Sequence, residues 1–140
     1  MEDLEKVRQW LQTFPLWEDD LFIDYTGAVP GNTGVYPVGL EELSRQGDIL
    51  GNVTARCRYR FSLYRVAHRQ QDGTDNAGWL MAFQSWVQEQ SALGLAPAFG
   101  DVPAGERLRA EKGRLQQAEQ TGTGVYRVDL IADFVKKFTA

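Results

Sequence analysis

The sequence predicts an α+β domain: a mainly antiparallel sheet of about four to five strands with two amphipathic helices packed on one face. Three observations carry that expectation. Segments 3–14 and 75–93 place large apolar residues at helical spacing. Segment 53–67 alternates apolar and polar residues without a break. Two further runs, 108–119 and 124–138, flank the turn chemistry of Gln120-Thr-Gly-Thr-Gly124 and predict a closing hairpin.

In chain order, Leu4, Val7, Leu11 and Phe14 recur at steps of three and four, with Trp10 beside them, so the first helix has one covering face. Asp3 suits its N-cap, Glu5 its first turn, and Pro15 its end. Residues 21–26 have strand character, and 27–34, with Gly27, Pro30, Gly31 and Gly34, read as a long hairpin loop. A second strand is expected over 35–40, with Pro37 at an edge or on the non-bonded side of a pair, and a polar connecting loop over 41–52.

The clearest strand follows. Val53, Ala55, Cys57, Tyr59, Phe61 and Leu63 alternate with Thr54, Arg56, Arg58, Arg60 and Ser62, which predicts a central strand with Cys57, Tyr59 and Phe61 facing the helices. A turn over 70–73 leads to the second helix, whose stripe holds Trp79, Leu80, Phe83, Trp86, Val87 and Gln90. Residues 94–105 are expected to be loop; like 27–34, they lack side chains that would pin them to a core. In the last strand Tyr126, Val128, Leu130, Ala132 and Phe134 alternate with Arg127, Asp129, Ile131 and Asp133.

A length of 140 residues suits one domain spanning 1–140, and a hydrophobic fraction of 43% with 24% charged residues is that of a folding chain rather than a disordered one. Neither a signal peptide nor a membrane span is expected, and a lone cysteine, Cys57, suits a reducing, intracellular setting. A net charge of -4 disfavours nucleic acid as partner.

No catalytic, cofactor-binding or metal-binding residues are expected. Cys57 falls on the apolar phase of its strand, where a thiol packs as a small hydrophobe. His68 is the only histidine, and enzymatic use would need it in a concave pocket beside a carboxylate. Gly27, Gly31 and Gly34 lack the Lys-Ser/Thr of a phosphate loop and read as turn glycines. Asp19 with Asp20 and Asp72 with Asp75 lack a calcium-loop pattern and read as helix starts and loop solvation. The pointed feature is the stripe Arg56, Arg58, Arg60, which could track phosphates or pair with Asp129 and Asp133 on the wet face of the last strand, within a subunit or between two. These five are the candidate interface residues.

Trp10-Leu-Gln-Thr-Phe-Pro15, Leu21-Phe-Ile-Asp-Tyr25, Val35-Tyr-Pro-Val38 and the arginine-bearing strand, followed by the helix Ala77-Gly-Trp-Leu-Met-Ala-Phe-Gln-Ser-Trp-Val87, the loop Leu95-Ala-Pro-Ala-Phe99 and a closing hairpin, run in a familiar order. Over nearly its whole length the chain resembles the small minor capsid or tail-terminator-like proteins of tailed phages and prophages of Firmicutes. The resemblance implies a non-enzymatic structural protein of the virion neck or tail, made in the bacterial host cytoplasm, that forms a ring capping the tail tube or joining it to the head. Its partners would then be copies of itself and neighbouring tail-tube or head–tail connector proteins, with no cofactor. The alternatives are a prophage-encoded protein-interaction module outside the virion and a nucleic-acid-binding domain.

Overall fold

The structure is a computed structural model that describes residues 2–27, 30–69, 74–119 and 122–140. Among these residues five strands form one sheet in the order β1-β2-β3-β5-β4, with β1 Asp20–Ile23, β2 Asn32–Gly47, β3 Val53–His68, β4 Arg107–Ala118 and β5 Thr123–Phe138. Helices α1 (Glu2–Leu11) and α2 (Thr74–Ala92) pack on one face, which makes the fold the expected α+β class. All pairings are antiparallel except that of β1 with β2.

The face under the helices is built by the alternation in the sequence. Ala55, Cys57, Phe61 and Leu63 of β3 and Tyr126, Val128, Leu130, Ala132 and Phe134 of β5 are buried together with Leu4, Val7 and Leu11 of α1 and Trp79, Leu80, Phe83 and Val87 of α2. Each large side chain so buried contributes on the order of 1.5–3 kcal/mol. Two aromatic groups organise this layer. Trp10 stacks on Trp86 at 4.8 Å, and Phe14 meets Trp79 and Phe83 edge-on. Nearer the other end, Tyr59 lies 4.9 Å from Phe134, and Phe99 closes over both. β3 lies between β2 and β5, as its unbroken pattern predicts.

Several expectations need correction. The segment after β1 is no hairpin loop: β1 and β2 run parallel, with Asp20 opposite Asn32 and Ile23 opposite Val35. A return this short is feasible because β1 has four residues, about 13 Å of chain. The stretch expected as a loop over 41–52 is mostly strand, since β2 continues to Gly47 with bulges between Pro37 and Gly39 and between Glu42 and Ser44. Only 48–52 turn. There Asp48 Oδ1 accepts from the N–H groups of Leu50 and Asn52, and Gly51 takes a φ of 85°, which a side chain would oppose.

Gly34 is a strand residue, and its backbone is approached so closely by Tyr25 and Thr26 that a Cβ would collide with them. Asp3 lies within α1 rather than capping it. The expected turns over 70–73, with Asp72, and at 120–121 lie outside the described residues. α2 ends in a Schellman motif: Leu95 N–H reaches Gln90 O at 2.9 Å, Gly94 N–H reaches Ser91 O, and Gly94 sits at φ 72°.

The loop after α2 is anchored, contrary to expectation. Phe99 is buried in the aromatic layer, and Glu106 Oε1 accepts its N–H at 2.6 Å. The described end of the other segment is held as well, since Gly31 N–H bonds Val66 O and Thr33, at the start of β2, is fully buried.

Candidate assembly surface

The sheet face away from the helices carries the arginine stripe, and the register shows what it meets. Arg58 lies opposite Asp133 and binds it with both arms of the guanidinium, Nε to Oδ1 at 2.6 Å and Nη2 to Oδ2 at 3.2 Å. Arg109 of β4 reaches the same carboxylate from the other side at 3.2 Å. The hydrogen bond from Arg58, reinforced by its charge and that of Arg109, holds the Asp133 carboxyl below the usual range. The same bond pushes the Arg58 guanidinium up.

Arg60 makes only a loose pair with Glu41 at 3.7 Å, and Arg56 has no ion pair among the described residues. Asp129 pairs with Arg127 at 2.9 Å and with Arg114 at 3.9 Å, not with the stripe. Of the five candidate residues, Arg58 and Asp133 are therefore brought together within one subunit, and Arg56, Arg60 and Asp129 are not joined to one another. Ile131, between Arg60 and Arg109 in the register, is buried on this wet face. That burial is invisible to the alternation.

Among the described residues this face holds eight basic side chains, Arg56, Arg58, Arg60, Arg107, Arg109, Arg114, Arg127 and Lys137, against four acidic ones, Glu41, Glu111, Asp129 and Asp133. Its net charge of +4 sits on a chain of net -4, so the rest of the sequence carries -8. The molecule is electrically two-sided.

Neither rim of the sheet is fully covered by a further strand among the described residues. β1 covers β2 only from Asn32 to Val35, so the remaining length of β2 has no outer strand partner among the described residues. Residues 37–47 are exposed throughout, and Leu40, Leu43, Ile49 and Leu50 project into solvent, Ile49 completely. With the turn they form an arm along the edge of the sheet, paired on its inner side to β3, whose own start is paired in turn to the end of β5. At the opposite rim β4 pairs with β5 alone among the described residues, and α2 runs beside it with a groove of about 820 Å³ between them. A second hollow, of about 590 Å³, lies on the outer face among Thr26, Tyr36, Tyr64, Val66, Val125 and Arg127.

Nothing comparable assembles around the reactive residues. Cys57 is buried, and burial, with Glu42 nearby, pushes its thiol up and away from reactivity. His68 and Asp75 border a hollow of about 240 Å³, but no serine or cysteine lines it and no hydrogen bond joins the two among the described residues. Nor do the described residues contain a cluster of three or more His, Cys, Asp or Glu able to hold a metal ion. Among the described residues no helix is long and apolar enough to cross a membrane.

The reading of Asp19 as a solvated acid is corrected. Arg65, on the helix side of β3, bonds Asp19 Oδ2 at 2.7 Å with only 18% and 8% of the two side chains exposed. Thr33 Oγ1 donates to the same oxygen, and the guanidinium lies 4.3 Å over the Trp79 ring. The one hint in the sequence is that Arg65 occupies an apolar-phase position of β3. Compared with known proteins, the chain matches no family model and no curated sequence.

Proposed function

We propose that the chain is a structural subunit of the neck or tail of a tailed phage or prophage, which self-assembles into a ring that terminates the tail tube or joins it to the head. The observation that supports this reading is the bare arm: residues 37–47 are strand, paired on one edge only among the described residues and each exposed, with apolar Leu40, Leu43, Ile49 and Leu50 displayed at and near its tip. A free edge of that length is a liability for an isolated protein and an asset for one that pairs. Identical subunits meeting through unlike surfaces close into rings when the rotation permits. In this reading the chain is made in the bacterial host cytoplasm, catalyses nothing, and meets copies of itself and the adjoining tail-tube or connector protein.

Light scattering over a concentration series, alone and with a phage tail-tube protein, tests the proposal. A discrete species of several chains, ring-shaped in electron micrographs, is expected. A strict monomer in every mixture would overturn it.

The outer face favours a second reading, nucleic-acid binding, because Arg56, Arg107 and Lys137 have no ion-pair partner among the described residues on a face of net +4. That reading requires a DNA gel shift that weakens steeply with salt and with Arg56→Ala.

A further inference from the structure

We infer that the contact between copies is a continuation of the sheet, in which the arm edge of β2 from one copy lies along the β4 edge of the next, in the groove beside α2. The inference rests on the ring reading above and specifies its interface. Four features of the two rims agree with it.

Length is the first. β4 has twelve residues, and the sixteen of β2 leave twelve once the four facing β1 are set aside. Strand polarity is the second. β2 and β5 run one way, β3 and β4 the other. A copy carried round a ring with its sheet direction preserved therefore presents β2 antiparallel to its neighbour's β4, the more stable arrangement per residue.

Charge is the third feature. Residues 36–50 carry Glu41, Glu42 and Asp48 against Arg45, a net of -2, whereas β4 carries Arg107, Arg109, Lys112 and Arg114 against Glu111, a net of +3. Like charges facing across strands are destabilising, so pairing β4 with β4 or β2 with β2 is disfavoured and the head-to-tail contact is selected. The fourth is the state of the β4 edge. Two of its amides are occupied by α2 side chains, Leu108 N–H bonding Ser91 Oγ at 3.0 Å and Gly113 N–H bonding Gln84 Oε1 at 3.2 Å. An incoming strand exchanges these two side-chain bonds for main-chain ones, and Met81, exposed on the groove wall, offers apolar surface to Leu40 or Leu43.

Complementary charge reversal tests this. One variant carries Glu41→Lys with Glu42→Lys, the other Arg107→Glu with Arg114→Glu, and mass is followed by light scattering at low ionic strength. Wild type is expected to assemble with rising concentration, and each variant alone to need at least ~10-fold more protein. An equimolar mixture of the two should recover assembly, because each reversed edge then meets its complement; recovery also shows that both variants fold. Assembly of either variant at the wild-type concentration, or no recovery on mixing, would overturn the sheet continuation while leaving the ring intact. A wild type that stays a single chain alone and with the tail-tube protein would overturn both.

Discussion

Strand β2 has two halves under different physical regimes. Thr33, Gly34 and Val35 are buried, flanked by β1 on one side and β3 on the other, while residues 37–47 of the same strand are exposed on every side chain and bonded only to β3. The first half belongs to the body and shares its aromatic layer. The second is held by a hairpin ladder, the Asp48 turn, and exposed ion pairs such as Arg45 with Glu42, which are worth little each. Folding free energy therefore resides in the body, and the arm is free to be spent on contacts with other chains.

Substitutions in the two regions should separate stability from assembly. The largest loss is expected at Phe83, fully buried between Phe14 and Trp79, where Phe83→Ala should cost ~3–5 kcal/mol and lower the chemical denaturation midpoint sharply. Phe61→Ala belongs in the same class; a midpoint equal to wild type in either would mean that the faces of the sheet are misassigned. Next comes Asp19→Ala, which strands the Arg65 guanidinium and the Thr33 hydroxyl and should cost about 2–3 kcal/mol in the same measurement.

Asp133→Asn should be milder, about 1 kcal/mol at neutral pH, since the carboxylate is partly exposed. Because the folded protein holds this carboxyl below its unfolded value, its contribution is present above the unfolded carboxylate pKa and is lost as pH falls through the lower folded one. The variant's stability should therefore fall less steeply on acidification. A parallel acid limb would contradict the role assigned to the Arg58 pair. The smallest effect on stability is expected for Ile49→Ser at the arm tip, within about 0.5 kcal/mol, although assembly monitored by light scattering should weaken.

The contrast between the halves also explains what could be read in advance. β3 and β5 were legible because one face of each is buried and the other wet, so their side chains alternate in kind. Residues 41–47 carried no such signal: with solvent on both faces, Glu41, Glu42, Leu43 and Ser44 have no reason to alternate, and their strand conformation is imposed by β3 alone. The link from β1 to β2 carries turn residues, Gly27, Pro30 and Gly31, which mark a break between strands but do not say whether the second runs parallel or antiparallel to the first. Asp19 and Arg65 are 46 positions apart, and the apolar-phase position of Arg65 in β3 hints at a buried charge without naming its partner. On the outer face, the partnership of Arg58 with Asp133 was open between subunit-internal and intersubunit pairing, and the register decides it for this pair by placing the two directly opposite.

Amide hydrogen exchange along the two sheet rims is the most direct test that the bare arm is an assembly element. In the single chain, amides of 38–46 not bonded to β3 should exchange fast while those of β5 are protected, and in the assembled species protection should appear together in 38–46 and in 107–118. Protection of the arm already in the single chain, or an assembled species whose rims exchange as fast as before, would contradict the account.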